Sequence, residues 1–280
     1  MTERLNLTIS NGISQITVGD SACMFNIISY SGFAAADYDV QMSAGGSSDG
    51  GYITSARLNS RTLEVKFDFG GRLGESTRQA LISFFSPHRL LTVTAQRGTK
   101  KCLITGHAVD FNITEKNIHA RSTVDLSILC PDPYFQSISI ISQNAALITP
   151  MFHLPCSFPC ELGMESGTGS LTFDNYGDAP ADMVAELIAY GEIVNPYIAN
   201  NTNGKKILIK DTLNSGDRLT ISTVRRQKTA QINGSRCLID PSSQFSDFLE
   251  VGQNHIKYSS DSGSSDIAAN IQCTALYLGV

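Results

Sequence analysis

The segment 126–135 limits how this chain can fold, because it ends a strand pattern abruptly. Apolar and polar side chains alternate through residues 124–128, which is typical of a half-buried β-strand. Pro131 and Pro133 then remove two backbone donors within three residues and hold the residues before them extended. The sequence therefore predicts that the strand ends at this point.

Two aromatic residues, Tyr134 and Phe135, follow the prolines directly. Two adjacent rings at such a position are more typical of a plug packed against the base of a domain than of a free linker. The composition also changes beyond them. We therefore predict a domain boundary here, with a first domain over 1–137, a connector over 138–169 and a second domain over 170–280.

Length, charge and hydropathy exclude several classes of protein. The chain has 280 residues, enough for two ordinary cores, and its net charge of −5 provides no basic surface for nucleic acid. No apolar run is long enough for a signal peptide or a membrane span. We therefore expect a protein made in the cytoplasm that neither binds nucleic acid nor inserts into a membrane.

The cysteines argue against a disulfide framework and give little support to a metal site. Seven cysteines is an odd number, and they are scattered through both halves. Cys156 and Cys160 form the one close pair, with His153 nearby, but zinc needs further ligands at matching spacing. We expect reduced thiols that act as small apolar residues, and no metal or other cofactor.

The first half reads as strand-rich with one helix. Residues 63–69 alternate strictly between apolar and charged side chains, which is the clearest strand pattern in the chain. Between Gly74 and Phe85 the apolar period becomes helical, and Ser86-Pro87 ends it. Further strand patterns occupy 90–95, 101–113 and 121–129. The expected fold is a β-sandwich or split barrel whose helix covers one sheet face.

The stretch 43–51 contains four glycines in nine residues. A phosphate-binding loop is one reading, but the lysine and the Ser or Thr of a P-loop are absent and no helical pattern follows. A long flexible hairpin or arm is the favoured interpretation. We predict that it contacts a neighbouring subunit through the following residues: Gly45, Gly46, Asp49, Gly50 and Gly51.

The second half consists of short alternating segments separated by turn signals. Asn233-Gly234 lies between two such segments and is a strong hairpin signal. Regular short strands of this kind favour an all-β sandwich, an architecture that lectins share. Sugar sites usually stack a sugar on an exposed aromatic ring, and the chain has no Trp. The possible platforms are Tyr190, Tyr197, Tyr258 and Tyr277, but a role as core or interface residues is the favoured interpretation.

No catalytic constellation is apparent. The Gly-x-Ser-x-Gly motif is absent, the five histidines are dispersed, and acidic pairs such as Asp37/Asp39 lie in turn regions. We therefore expect a binding or assembly protein and no enzyme. An enzyme that degrades cell wall is the weakest of the alternatives.

The chain resembles the distal tail proteins of long-tailed bacteriophages in several short motifs that occur in the same order along the sequence. In the first half they are Ser48-Asp49-Gly50, Arg57-Leu58 with Arg61, the helix ending at Phe84-Phe85-Ser86-Pro87, and the closing signature Cys130-Pro131-Asp132-Pro133-Tyr134-Phe135. In the second half they are Asn175-Tyr-Gly-Asp178, Asn195-Pro196, Leu213-Asn-Ser-Gly-Asp217 with Ile221-Ser-Thr223, Asn233-Gly234, residues 248–254, and Tyr277-Leu-Gly-Val280. The chain departs from the family pattern at Ser222, where Asp is frequent, and at Gln253.

The resemblance implies a fold, partners and a place in the virion. It implies an N-terminal β-domain that forms a hexameric ring and a C-terminal galectin-like sandwich of the jelly-roll type. The implied function is a baseplate hub at the tail tip, of a phage or prophage, that joins the major tail tube protein to the tip protein and the receptor-binding protein. The alternative is a glycan-binding adhesin module that contacts the cell-wall glycan of the host during attachment.

Overall fold

The computed structural model describes residues 4–19, 24–46, 49–69, 74–114, 122–145, 148–150, 163–165 and 169–280. The chain divides into two compact units. The first contains Met1–Ile138 and Tyr277–Val280, and the second contains Ser139–Leu276. The chain thus leaves the first unit after Ile138 and returns to it at Tyr277.

A closed barrel forms the first unit. Its strands are β1 Leu5–Ser10, β2 Gln15–Gly19, β3 Phe25–Ser31, β6 Arg61–Phe69, β7 Leu91–Arg97, β8 Lys100–Thr114 and β9 Thr123–Cys130. The pairing runs β8-β7-β1-β2-β3-β6-β9, and β9 pairs with β8 to close the circle. All these pairs are antiparallel except β2 with β3. Closure leaves each barrel strand with a partner on both sides along part of its length, which removes free sheet edges.

Alternating side chains fill the barrel, as the strict pattern of residues 63–69 predicts. Leu63, Val65 and Phe67 of β6 are buried, together with Val93 of β7 and Leu126 of β9. The helix α1, Glu75–Phe84, places Leu81 and Phe84 on the same core. The expectation of a helix from Gly74 to Phe85 is therefore confirmed.

A separate hairpin projects between β3 and β6. Its strands are β4 Tyr38–Ala44 and β5 Gly51–Leu58, which pair only with each other among the described residues. The backbone N–H of Asn59 donates to the carbonyl of Asp37 at 2.9 Å and closes the base of the hairpin. We call this hairpin, Tyr38–Leu58, the arm.

Two sheets form the second unit. Its strands are β11 Ile148–Pro150, β12 Gly163–Glu165, β13 Ser170–Asn175, β14 Met183–Ala189, β15 Ile193–Val194, β16 Tyr197–Asn200, β17 Lys205–Leu208, β18 Thr212–Leu213, β19 Arg218–Ser222, β20 Thr229–Ile232, β21 Ser235–Arg236, β22 Gly252–Ser259 and β23 Ile267–Tyr277. One sheet has the order β21-β20-β19-β14-β23, followed by the second part of β10, Phe135–Ala145. The other has the order β13-β22-β16-β17, and β11 with β12 and β15 with β18 form separate pairs.

The core of the second unit lies between its two sheets. Leu187, Ile221 and Ile271 from the first sheet are fully buried with Ile198 and Ile256 from the second. This is the sandwich that the short alternating segments predict, so the mainly β fold, with its α-helix in the first unit, is confirmed.

The predicted hairpin at Asn233-Gly234 is present. The turn joins β20 to β21, with Ile232 opposite Ser235. Both turn residues have positive φ, 49° at Asn233 and 80° at Gly234, which suits a type I′ turn.

The structure also differs from the sequence-based expectations. Strands β1, β2 and β16 lie in stretches for which no strand was predicted. The apolar run 22–34 predicts a buried strand, but in β3 Phe25 is buried while residues 28–31 are exposed. Residues 277–280 lie in the first unit and residues 139–145 in the second, whereas the second domain predicted from the sequence spans 170–280.

Candidate assembly interface

The arm has one apolar face and one polar face. Cross-strand partners share a face, and the pairs Tyr38/Leu58, Val40/Ala56 and Met42/Ile53 fall on the same side. The intervening pairs are polar, and Arg57 Nη2 lies 2.7 Å from Asp39 Oδ2. The period-2 alternation of β4 therefore sorts the arm into two chemically distinct surfaces.

A bulge extends the apolar face toward the tip of the arm. The register shifts between Gln41 and Met42, so that Met42 lies opposite Ile53 and Thr54 becomes the extra residue. Thr54 Oγ1 donates to the carbonyl of Gln41 at 3.1 Å. Without the shift, a threonine would take the place of Ile53 on the apolar side.

The apolar face of the arm is open to solvent. Tyr38, Val40, Met42 and Ile53 are 63%, 55%, 70% and 67% exposed. An isolated two-stranded hairpin is marginal in water, and contiguous exposed apolar surface of this kind marks interaction sites. The arm therefore has the properties of an element that is covered in an assembly.

The glycine-rich residues singled out in the sequence lie at the end of the arm. Gly45 and Gly46 follow β4, Asp49 and Gly50 precede β5, and Gly51 is its first residue. Gly50 has a φ of 92°, which a residue with a side chain rarely adopts. The glycines thus shape the turn, while the apolar side chains sit in the flanking strands. The prediction of an inter-subunit contact from the sequence named only the residues of this turn and not the apolar side chains beside it.

The closing signature lies where β9 gives way to β10. Pro131 and Pro133 separate the strands, and Asp132 Oδ1 accepts from the N–H of Tyr134 at 3.2 Å. Phe135 is fully buried in the first core, with its ring stacked 6.2 Å from that of Phe33. Tyr134 is partly buried.

Arg61 organises this region. Its side chain is 2% exposed, and it donates to four backbone carbonyls: Pro133 and Gly32, Ala34 and Leu278, at 2.6 to 2.8 Å. Its guanidinium carbon also lies 4.8 Å from the centre of the Phe135 ring. Burial lowers the pKa of Arg61, yet an arginine stays protonated at neutral pH, so carbonyl dipoles compensate its charge.

Sequence reasoning did not assign this role to Arg61. A signal was available, because Arg61 occupies the inward period-2 position of β6 that Leu63 and Val65 continue. A charged residue in line with a buried face needs internal partners.

Asparagine motifs of the second unit build turns. Asn254 is fully buried, accepts from the N–H of Glu250 at 2.9 Å and donates to the carbonyls of Glu250 and Gly252. Asn175 similarly holds the carbonyls of Ala179 and Glu250. The hydrogen bonds of these two side chains therefore give the motif residues Asn175 and Asn254 a structural role in the fold.

The four tyrosines considered as sugar platforms have different environments. Tyr258 is 2% exposed. Lys206 Nζ lies over the ring of Tyr197 at 3.8 Å, and Lys100 Nζ lies over that of Tyr277 at 4.3 Å. Tyr190 is exposed. One of the four rings, Tyr258, is thus buried, and a lysine covers one face of two others, Tyr197 and Tyr277.

A groove of about 340 Å³ crosses the outer side of β3, β6 and β9. Its acidic groups are already engaged: Lys66 Nζ lies 2.9 Å from Asp125 Oδ1, and Ser31 donates to Glu64 at 3.0 Å. The groove is therefore a polar surface with internally paired charges.

The described residues offer no metal site. They contain no group of three His, Cys, Asp or Glu side chains that could hold a metal ion. His107 Nδ1 lies 3.1 Å from the carbonyl of Pro87, which fits a structural role. Cys156, Cys160, His153 and His119 lie outside the described residues.

The described cysteines are mostly buried. They are Cys102, Cys130, Cys237 and Cys273. Burial raises the pKa of Cys130 and of Cys273 to about 12, so both thiols are protonated at neutral pH. None of the described helices combines the length and apolar character needed to cross a bilayer.

Comparisons with known proteins find one family model and several solved structures that are similar to this chain. Residues 176–272 match the family model for the C-terminal domain of a siphovirus-type tail component. The crystal structure of SPP1 Dit, described as a paradigm of the hub adsorption apparatus in phages that infect Gram-positive bacteria, is similar with a TM-score of 0.66 and 13% identity, over 96% of this chain and 98% of that chain. A search of curated proteins finds no significant match.

A second solved structure is also similar to this chain in fold. The phage p2 baseplate in its activated conformation with Sr is similar with a TM-score of 0.50 and 11% identity, over 96% of this chain and 97% of that chain. Both identities are low, so these likenesses concern the fold, while the family match concerns the second unit. Residues 176–272 are therefore similar to the C-terminal domain of siphovirus-type tail components, and the chain as a whole has a fold similar to that of SPP1 Dit.

Proposed function

We propose that this chain is a structural hub at the tip of a phage tail, in which copies of the first unit assemble into a hexameric ring. The observation that carries the proposal is the exposed apolar face of the arm, formed by Tyr38, Val40, Met42 and Ile53. A surface of this kind is stabilised when a neighbouring molecule covers it.

A second copy of the same chain is the occupant that we propose for this face. The barrel strands pair in a closed circle, so they offer little free edge for joining copies through shared sheets. The arm is the exception among the described elements of the first unit. An arm that seats on the next copy makes a head-to-tail contact, and such contacts close into rings when the rotation between copies permits.

The partners follow from the position of such a ring. We infer that the ring continues the major tail tube protein on one side, and that the hub also carries the tip protein and the receptor-binding protein. In this assignment the first unit forms the ring and the second, galectin-like unit provides the outer surface. SPP1 Dit, described as a hub of an adsorption apparatus, supports the proposal by its fold.

Mass measurement combined with particle imaging of the purified full chain tests the proposal. We expect particles with the mass of six copies and sixfold symmetry, in a concentration-dependent equilibrium with smaller species. A chain that stays monomeric at high concentration, and that also fails to form rings when mixed with tail tube and tip proteins, would contradict the proposal.

A further inference from the structure

Residues 277–280 are part of the first unit, although the preceding residues belong to the second. We call Tyr277–Val280 the return segment. Tyr277 and Val280 pack against the core of the barrel. Lys100, the first residue of β8, donates to the carbonyl of Gly279 at 2.9 Å and lies over the ring of Tyr277. The barrel therefore holds this segment from one side.

The other side of the return segment touches the arm root, which we define as residues 32–37. The N–H of Val280 donates to the carbonyl of Phe33 at 2.9 Å. A Cβ added to Gly279 would lie 2.9 Å from the carbonyl oxygen of Ala34 and 3.1 Å from that of Phe33. The two backbones are thus in direct contact, at a distance that a side chain at position 279 would disturb.

Arg61 bonds both partners at once. Its Nη1 donates to Gly32 and Ala34 of the arm root, and its Nη2 donates to Leu278 of the return segment. One planar guanidinium with five N–H groups can fix several carbonyls in a defined arrangement, which a lysine ammonium cannot reproduce. Moving the return segment therefore changes the geometry around the arm root.

We propose that the return segment, acting with Arg61, positions the arm for its contact with a neighbouring copy. The inference rests on the proposed function, since it assumes that the arm is the assembling element. The strands of the arm pair only with each other among the described residues, and the end that leads from β3 contacts both the return segment and Arg61. Arg61 and the return segment are positioning elements in this arrangement, because neither belongs to the apolar face of the arm.

The test uses two pairs of single variants of the full chain. Lys100→Met removes the hydrogen bond to Gly279 and the contact with Tyr277, while Lys101→Met changes the exposed neighbour on the same strand. Gly279→Ala adds a methyl group against Ala34, and Gly74→Ala adds one where the nearest atom is 3.9 Å away. In each pair the second variant is the control.

Two measurements are made on each variant. Hydrogen exchange of dilute, unassembled protein reports on residues 32–37, with β7 and the second unit as internal references. We expect exchange at the arm root to rise about tenfold in Lys100→Met, the effect of one lost charge-assisted hydrogen bond. Ring formation, measured by mass, should weaken by a similar factor, and both controls should match the parent chain.

The outcomes separate the inference from the proposed function. If the parent chain forms rings while Lys100→Met and Gly279→Ala keep its exchange and its assembly, the inference is wrong and the proposed function stands. If exchange at the arm root rises while ring formation is unchanged, the inference is also wrong. If the parent chain forms no rings, either alone at high concentration or mixed with tail tube and tip proteins, the proposed function fails by that result alone. A general rise in exchange across β7 would show a loss of folding, and the inference would then be rejected for that variant pair.

Discussion

Replacing two apolar residues of the arm should weaken assembly without weakening the fold. The perturbation is Val40→Ser with Met42→Ser, two positions on β4 that are 55% and 70% exposed. In a single copy these side chains contact mainly solvent. Surface substitutions of this kind usually change the free energy of unfolding by about 0.5 kcal/mol or less.

The magnitude follows from the area that a neighbour would cover. Full burial of one aliphatic side chain contributes about 1.5–3 kcal/mol, so covering the exposed parts of Val40 and Met42 contributes roughly 2–4 kcal/mol together. A factor of ten in a dissociation constant corresponds to about 1.4 kcal/mol, so each contact between copies should weaken roughly 30- to 1,000-fold.

Sedimentation velocity over a concentration series measures this weakening, and thermal unfolding measures the fold. Gln41→Ser is the matched control, because Gln41 lies between the two positions but on the polar face of the arm. The control should assemble like the parent chain. Assembly that survives the double substitution, or that is lost equally in the control, would refute the assignment of the apolar face as the interface.

The remaining predictions concern the two cores and the thiols. Phe135→Ala should destabilise the first unit by about 3–5 kcal/mol, because Phe135 is fully buried against Phe33, and calorimetry should show the transition of the second unit unmoved; a shift in both transitions would contradict the separate cores. Asn254→Ala should lower the unfolding free energy of the second unit by about 2–4 kcal/mol, because it leaves buried polar groups without partners. A decrease of less than about 0.5 kcal/mol in the unfolding free energy, measured by denaturant titration, would refute this prediction. Because the pKa of Cys130 is raised to about 12 and only the thiolate reacts, Cys130 should be alkylated far more slowly at pH 8 than the less buried Cys237. The alkylation rate of Cys130 should increase only as the pH rises toward 12. Equal alkylation rates of the two cysteines at pH 8, measured by mass spectrometry, would contradict the buried position of Cys130.

Periodicity predicted much of the fold. The alternation of Leu63, Val65 and Phe67 specified a strand with one buried face, and β6 has that form. The Asn-Gly turn specified a hairpin, because its two residues tolerate positive φ. In the same way the alternation of Leu5, Leu7 and Ile9 could have indicated β1.

The arm shows where such reasoning stops. Tyr38, Val40 and Met42 alternate with polar residues, so the sequence carries an apolar face. A period of two, however, specifies that a face is apolar and not whether anything covers it. Whether a strand face meets the core depends on long-range pairing, and β4 pairs only with β5 among the described strands.

The position of Arg61 in the period of β6 signals that its side chain is buried, but the partners of Arg61 were inaccessible to sequence reasoning for a related reason. Its hydrogen-bond partners lie 27 to 217 residues away along the chain. They are backbone carbonyls, which every residue carries, so no side-chain pattern marks them. The return of residues 277–280 to the first unit likewise depends on the fold and is marked by no local sequence pattern.

The most direct test of the central claim is cross-linking through the arm in the assembled state. A photoreactive amino acid in place of Met42 is introduced into isotopically heavy copies, which are mixed with light copies, assembled and irradiated. We predict cross-links that join a heavy to a light chain, and markedly fewer when the photoreactive residue replaces Gln41 on the polar face. Rings that form while position 42 cross-links only within its own chain would contradict the account.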